Sequence, residues 1–151
     1  MRPVRRVAEL GSLGLDRLMD IQTAVLCDSA AAYHGSLCIL GVFDTIWAPN
    51  FPVSHHHCAV AIRALTRDED VGQHQLQARL VDPDGNPVLP DGGPIIPVEC
   101  TPVPEETYFV SRNFIFNFNG LPLPSPGQYR VDVTLDGTVL AQIPLQVIKR
   151  T

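Results

Sequence analysis

The sequence has no apolar run near the roughly eighteen residues of a membrane-spanning helix, and no window in it sustains a helical period. It also lacks a Gly-rich phosphate loop, a G-x-S-x-G turn, an H-E-x-x-H helix and any C-x-x-C pair. These absences argue against a helical or membrane-spanning protein and leave no catalytic signature. We therefore expect no enzymatic activity and no cofactor.

Basic charge is scarce, since 16 Asp and Glu face 11 Lys and Arg for a net charge of −5. The first eighteen residues carry +2, so the remainder carries −7. An acidic body without a Lys/Arg stripe lacks the attraction that dominates binding to nucleic acid and anionic lipid. We expect neither nucleic acid nor a membrane as partner.

Residues 1–18 differ in charge and pattern from the rest of the chain. Charges interrupt the apolar stretch over 7–18, so it does not read as the core of a signal peptide. We expect a flexible tail over 1–18, or a natural start at Met19, followed by one β-domain over 19–151. The cytoplasm is the expected location.

Four cysteines are present, too few and too far apart for a disulfide scaffold: Cys27, Cys38, Cys58 and Cys100. A chain of 151 residues can bury enough surface to fold without covalent links. Reduced, buried thiols are therefore expected.

Strand-length apolar runs separated by Pro, Gly, Asp and Asn clusters fill the rest of the sequence. They lie at about 21–27, 37–47, 57–65, 74–81, 87–98 in broken form, 107–118, 128–135 and 139–148. Most of the 14 prolines lie between these runs, where a missing N–H costs little. The pattern predicts an all-β fold, an antiparallel β-sandwich of about eight strands with Ig-like or related Greek-key topology.

Alternation along the runs predicts which residues enter the core. Phe114, Phe116 and Phe118 share one face of their run, and Asn113, Asn117 and Asn119 point the other way. The same pattern recurs in two further runs, with apolar members Leu76, Ala78, Leu80, Tyr129, Val131, Val133 and Leu135. We expect these residues in the core and the polar residues between them, including Arg130, Asp132 and Thr134, on a wet outer face.

The last hairpin admits two registers. A two-residue turn at 136–137 would set Val133 opposite Leu140, whereas a three-residue loop over 135–137 sets it opposite Val139. The three-residue loop keeps apolar residues opposite one another along the hairpin, and it is the one we expect.

The His55-His56-His57-Cys58 cluster offers ligands that zinc and copper favour. Because neighbouring residues on a strand face opposite ways, only His55 with His57, or His56 with Cys58, could share a metal. Asp82 and Asp84 lie at the same end of the expected sandwich and could complete the site. Plain solvated residues at the start of a strand are the alternative.

Two acidic loops, Asp68–Asp70 and Asp82–Gly85, contain oxygen ligands of the kind calcium prefers. They are expected at opposite ends of the sandwich, where they could not cooperate, so polar turns are the expected role. A cysteine nucleophile would need a base such as His34 or His74 and an orienting Asp such as Asp28 or Asp44, and no spacing supports that set.

Aromatic residues in loops are candidate anchors for a partner, because aromatic side chains dominate interface hot spots. Trp47 and Phe51 lie in one such segment and Tyr33 in another. Trp47 could equally fill the core at a sandwich edge, or stack on a sugar.

Three stretches carry a family resemblance: Thr23–Asp28 (TAVLCD), Gly35–Ile46 (GSLCILGVFDTI), and Pro126–Val133 continuing to Ile143–Val147. Together they resemble a family of short bacterial proteins known only as a domain of unknown function, and the last is similar to the closing hairpin of many Ig-like domains. The resemblance implies a fold and no functional residues. From the residues themselves we expect an interaction module that binds a protein or its own copy, with a metal-binding protein and a carbohydrate- or small-ligand-binding sandwich as alternatives.

Overall fold

The computed structural model describes residues 19–151, so the tail expected over 1–18 lies outside the described residues. Nine strands are formed, with short 3-10 turns at Asp68–Asp70 and Pro90–Gly92. The strands are β1 (Asp20–Tyr33), β2 (Ser36–Val42), β3 (Thr45–Ala48), β4 (Val53–Thr66), β5 (Gly72–Val81), β6 (Ile95–Cys100), β7 (Val110–Leu123), β8 (Gly127–Leu135) and β9 (Thr138–Lys149). Over residues 19–151 the chain contains no helix of the length and apolarity needed to cross a membrane.

The strands form two sheets, one ordered β2-β1-β4-β7 and the other β3-β9-β8-β5-β6. Neighbours are antiparallel except β3 and β9, which are parallel. At the start of β8 the Tyr129 hydroxyl donates a hydrogen bond to the Ser125 carbonyl (2.7 Å) and accepts one from the Ser125 N–H (3.2 Å). This tyrosine corner is a hallmark of Ig-like domains. The expected Ig-like sandwich is therefore confirmed.

The main core lies between the sheets, as the alternation predicted. Phe114, Phe116 and Phe118 are buried there, together with the other apolar residues expected: Leu76, Ala78, Leu80, Tyr129, Val131, Val133 and Leu135. The outer face of β8 differs from the prediction, since Asp132 and Thr134 are buried. Asp132 Oδ1 accepts hydrogen bonds from Arg130 Nε (2.9 Å) and Gln142 Nε2 (3.2 Å), so long polar side chains close over it.

The run over 37–47 was predicted as one strand and forms two. The chain leaves the four-stranded sheet after Val42 and joins the five-stranded sheet at Thr45. Ile46 and Ala48 of β3 are buried, and core packing on the second sheet therefore accounts for the crossing. The division of this run gives nine strands over residues 19–151 in place of eight. Of the broken run at 87–98, only the part within β6 is a strand.

Both registers considered for the last hairpin are wrong. Asp136 (φ 50°) and Gly137 (φ 87°) form a two-residue turn, with both residues left-handed as a type I′ turn requires. A bulge at Leu140 then shifts the pairing, so Val133 lies opposite Ala141 and not Leu140 or Val139. The extra residue restores an apolar register that the turn by itself would have lost.

Candidate functional site

The most unusual feature of the fold is the β1–β2 hairpin. β1 pairs with β4 only as far as Cys27, and the hairpin beyond it folds over the outer face of the four-stranded sheet. Apolar residues on that outer face, Cys27, Val25, Ala59, Ala61 and Ile115, pack against the hairpin residues Ala30, Leu37 and Ile39. This second, smaller core fixes the hairpin as a third layer.

Hydrogen bonds hold the hairpin tip in place. The Gly35 carbonyl accepts from Arg63 Nη1 (3.0 Å) and from Asn113 Nδ2 (3.1 Å). Arg63 also donates to Gln22 Oε1 (2.9 Å) and to Asn113 Oδ1 (2.8 Å), so its guanidinium joins β1, β4, β7 and the tip. The tip itself is a two-residue turn, since His34 and Gly35 both have positive φ.

The opposite face of the hairpin is exposed and apolar. Tyr33 is 66% exposed, Leu40 70% and Val42 62%, and Cys38 is also exposed. Residues 29–43 contain no Lys, Arg, Asp or Glu. We call Tyr33, Cys38, Leu40 and Val42 the hairpin face.

β2 differs from the edge strands β3, β6 and β7, which carry the features that protect an edge from pairing with other chains. β6 contains Pro97 and Glu99, and β7 contains Arg112 and Pro122. β3 has only four residues and is followed by Pro49. β2 has seven residues with neither charge nor proline, and within residues 19–151 its ladder contacts are to β1.

The three aromatic candidates do not converge. Tyr33 lies at the hairpin tip with its ring centroid 4.3 Å from that of His34. Trp47 lies on β3 of the other sheet, 52% exposed, with the Arg150 guanidinium 4.5 Å above its ring. Phe51 packs against the main core. Tyr33 therefore belongs to the hairpin face, and Trp47 to a separate surface.

The histidine cluster is spread along β4. His55 lies opposite the buried Leu121 and against the ring of Phe43, at 5.6 Å between centroids. His57 lies opposite the exposed Asn119, and its Nδ1 is 2.8 Å from Asn119 Oδ1. Burial lowers the pKa of His55.

Of the two carboxylates that could complete a metal site, that of Asp82 is engaged in its own turn. Asp82 Oδ1 accepts hydrogen bonds from the N–H groups of Asp84 (3.0 Å) and Asn86 (2.8 Å), as in a polar turn. In the part of the chain that the structure describes, no three His, Cys, Asp or Glu side chains lie close enough together to hold a metal ion. The metal hypothesis gains no geometric support here.

The Asp68–Asp70 loop also uses its carboxylates on backbone groups. Asp68 Oδ1 accepts from the Val103 N–H (2.8 Å) and Asp70 Oδ2 from the Arg67 N–H (2.7 Å). Burial raises the pKa of Asp70 to about 6. These contacts are those of a structural turn.

Sequence reasoning missed a hydrogen-bonded pair beside this loop. His74 Nδ1 lies 2.7 Å from Asp136 Oδ2, and His74 Nε2 lies 2.7 Å from the Asp70 carbonyl. Asp136 raises the pKa of His74, because both ring nitrogens face acceptors and the charged form can donate to each. The protonated ring has no nitrogen left to act as a base, so the arrangement is structural.

The cysteines depart from expectation at one position. All four are free, and Cys27, Cys58 and Cys100 are buried as predicted, but Cys38 is exposed. Burial raises the pKa of all three buried thiols, that of Cys58 to about 11. Thiols so protonated are poor nucleophiles.

A shallow groove of about 420 Å³ lies on the outer face of the five-stranded sheet. Its polar lining includes Asp44, Gln128 and Gln146. Ile148, which also lines it, is the ladder partner of Trp47. The groove therefore lies beside Trp47 and has room for a small polar ligand.

The solved structures that resemble this protein in backbone fold have low sequence identity to it. They include a β-glucosidase from Listeria innocua in complex with isofagomine (13% identity, TM-score 0.47), which aligns over 85% of this chain and 16% of its own. The alkylpurine DNA glycosylase AlkC of Pseudomonas fluorescens (9%, TM-score 0.44) aligns over 91% and 32%, respectively. An immunoglobulin-like protein from Pseudomonas aeruginosa (13%, TM-score 0.39) aligns over 89% and 99%. This chain thus spans less than a third of the first two proteins, and none of the three assigns it an activity.

A comparison with curated proteins found no match. The family comparison did, and the match runs from residue 22 to residue 148, nearly the whole described sandwich. The chain therefore belongs to DUF6941, a family of unknown function.

Proposed function

We propose that this protein is a non-enzymatic interaction module that takes up an extended strand of another polypeptide at the free edge of β2. The observation that carries the proposal is the contrast between edges: β3, β6 and β7 are short, charged or interrupted by proline, and β2 is none of these. Natural edge strands avoid that state unless they are covered. Main-chain hydrogen bonds to an added strand would supply affinity, and the hairpin face would supply apolar contacts.

Charge and rigidity support the same proposal. Residues 29–43 carry no formal charge on a chain of net charge −5, so a partner strand meets no charged side chain on β2 itself. The hairpin packs on the second core and is hydrogen-bonded to Arg63. It is therefore already ordered, and binding costs less conformational entropy.

The proposed setting is the cytoplasm of a bacterial cell. Four free cysteines support a reducing compartment. The acidic body supports a protein partner over nucleic acid or lipid.

The test is capture of binding proteins, further copies of the chain included, from lysate of the cells that produce the protein. Leu40→Lys places a charge beside the β2 edge, and Ile95→Lys, a matched control, charges an equally apolar residue (48% exposed) on edge strand β6. We expect specific binding to the wild type and to Ile95→Lys, with at least a tenfold loss for Leu40→Lys, about 1.4 kcal/mol. If the Leu40→Lys variant binds as tightly as the wild type, and circular dichroism shows that the variant is folded, the proposal is refuted.

The groove beside Trp47 supports a second candidate function, binding of a carbohydrate or other small polar ligand. Gln128, Gln146 and Asp44 supply hydrogen-bonding groups, and Trp47 is the only tryptophan in the chain. Fluorescence titration against a glycan panel tests it directly, and an unchanged Trp47 signal throughout would exclude a ligand stacked on that ring.

A further inference from the structure

We propose that the strand taken up by β2 is β2 of a second copy of this chain, paired antiparallel about a twofold axis at Cys38. The inference rests on the proposed function of strand addition at β2. It adds the identity of the partner, the register of the pairing and the chemistry at its centre.

The hairpin turn determines which backbone groups of β2 are available. His34 and Gly35 form a two-residue turn closed by the pair Tyr33 and Ser36. The closing pair of such a turn exchanges hydrogen bonds, and bonded and non-bonded pairs then alternate along the ladder. Leu37 and Ile39 consequently fall in non-bonded pairs, and their N–H and C=O groups point away from β1.

Those free groups restrict how two copies of β2 can meet. In an antiparallel pair the residues that exchange hydrogen bonds must lie opposite each other. Gly41 has φ 71°, outside the extended region, so the regular part of β2 is 36–40, and its centre is Cys38. Pairing about that centre sets Leu37 of each copy opposite Ile39 of the other, and Cys38 opposite itself.

The same register also brings exposed side chains of the two copies together without opposing charges. Residues opposite each other in a ladder share a face, so Ser36 of each copy meets Leu40 of the other on the exposed side. The interface is self-complementary, as a twofold dimer requires. Two copies of a chain with net charge −5 repel each other at long range, and residues 29–43 place no charged side chain of either copy on the paired strands.

Cys38 provides a direct probe of this geometry. In the proposed pairing the two Cys38 residues form a non-bonded pair, with Cα atoms about 4.5 Å apart. That separation suits a disulfide. Diamide can accept the two electrons and two protons released when the two thiols join.

The experiment combines light scattering across a concentration series with diamide cross-linking of the full chain. We expect a dimer that diamide links through Cys38, as shown by mass spectrometry of the linked peptide, and no link in Cys38→Ser. The matched control is the double variant Cys38→Ser with Val139→Cys, which moves the exposed thiol to another exposed position (48%). It measures the rate of cross-linking by random collision. Cys38 should link at least tenfold faster than that control.

Two substitutions test the register. Leu40→Glu should raise the dimer dissociation constant at least tenfold, because it places two new carboxylates in an apolar interface. Ser36→Lys with Leu40→Glu should restore the dimer, since each lysine then lies opposite a glutamate of the other copy. Thermal unfolding of both variants checks that they fold.

The outcomes separate this inference from the proposed function. Self-pairing is overturned if the protein is a monomer at every concentration. It is also overturned if Leu40→Glu leaves the dimer dissociation constant unchanged and diamide links Cys38 no faster than the collision control. If Leu40→Lys still abolishes capture of a different protein, strand addition at β2 stands with another partner. If Leu40→Lys weakens neither the dimer nor the capture of another protein, both proposals fail.

Discussion

Arg63 Nη1 donates a hydrogen bond to the Gly35 carbonyl, 3.0 Å away, and so ties the tip of the β1–β2 hairpin to the centre of the four-stranded sheet. The two residues are 28 positions apart in sequence. Because the same guanidinium also bonds Gln22 and Asn113, one side chain aligns three strands and the turn.

Removal of this anchor should loosen the hairpin. Arg63→Ala deletes charge-assisted hydrogen bonds, which contribute about 1.5–3 kcal/mol each at most, so we expect a loss of stability of about 2 kcal/mol. Amide exchange over 29–42 should accelerate more than exchange over β8. Arg130→Ala, which removes a partly exposed ion pair with Asp132 on the other sheet, should leave hairpin exchange unchanged. Equal acceleration in both variants would contradict the anchoring role.

The tyrosine corner should contribute measurably to stability. Tyr129→Phe removes the hydroxyl and leaves the Ser125 N–H and carbonyl without their partner, at a cost of about 1–3 kcal/mol. Tyr108→Phe is the matched control, since that side chain is 89% exposed and the change should fall within about 0.5 kcal/mol. Urea unfolding of both variants provides the comparison, and similar midpoints would exclude the corner as a stabilising contact.

Stability should fall as the pH rises above 6.5, the ordinary value for histidine. The His74 pKa is raised in the folded state, so its contribution is complete below 6.5 and is lost as the pH passes the folded value. The Asp136 pKa is lowered, so its contribution holds above 3.8 and is lost only in acid. The pair therefore stabilises most between about pH 4 and 6.5, by about 1 kcal/mol.

Thermal unfolding from pH 6 to 8.5 measures this loss. Wild type should lose more of its Tm across that range than His74→Gln or Asp136→Asn. Tyr129→Phe, which is destabilised without loss of a titrating group of the pair, should keep the wild-type slope. If the slopes of wild type and His74→Gln coincide, the pair does not govern stability in this range.

The thiols should differ sharply in reactivity. Cys38 is exposed, whereas Cys27, Cys58 and Cys100 are buried with raised pKa values. In dilute native protein, Ellman's reagent should label Cys38 at once and the other three only on unfolding. Cys38→Ser should abolish the fast phase, and fast labelling that survives this change would show that a buried thiol becomes accessible.

Much of the sandwich was readable in the sequence because one-sided burial imposes a period of two. The Phe114, Phe116 and Phe118 series and the β8 series lie in the core as their spacing indicates. The register of the last hairpin was not readable, because a single bulge residue, Leu140, reverses the face that every later side chain takes.

The candidate site was only partly readable. Tyr33 was identified as a candidate, but Cys38, Leu40 and Val42 were placed in a single strand over 37–47, and the Cys38 thiol was expected to be buried. The absence of Lys, Arg, Asp and Glu over 29–43 could not identify the face, because the chain has longer stretches without those residues at 45–62 and 113–129. The Ala30–Ala32 run hid the length of β1, since alanine is a weak strand former.

The class of fold, the core faces of the strands and the acidic character of the chain could be read from the sequence, because they follow from local pattern and composition. The fold of the hairpin over its own sheet and the contact of Arg63 with its tip follow from tertiary packing, as does the pairing of β2 on one side only within residues 19–151. Those features depend on contacts between residues far apart in the chain, such as Gly35 with Asn113, and no local period encodes them.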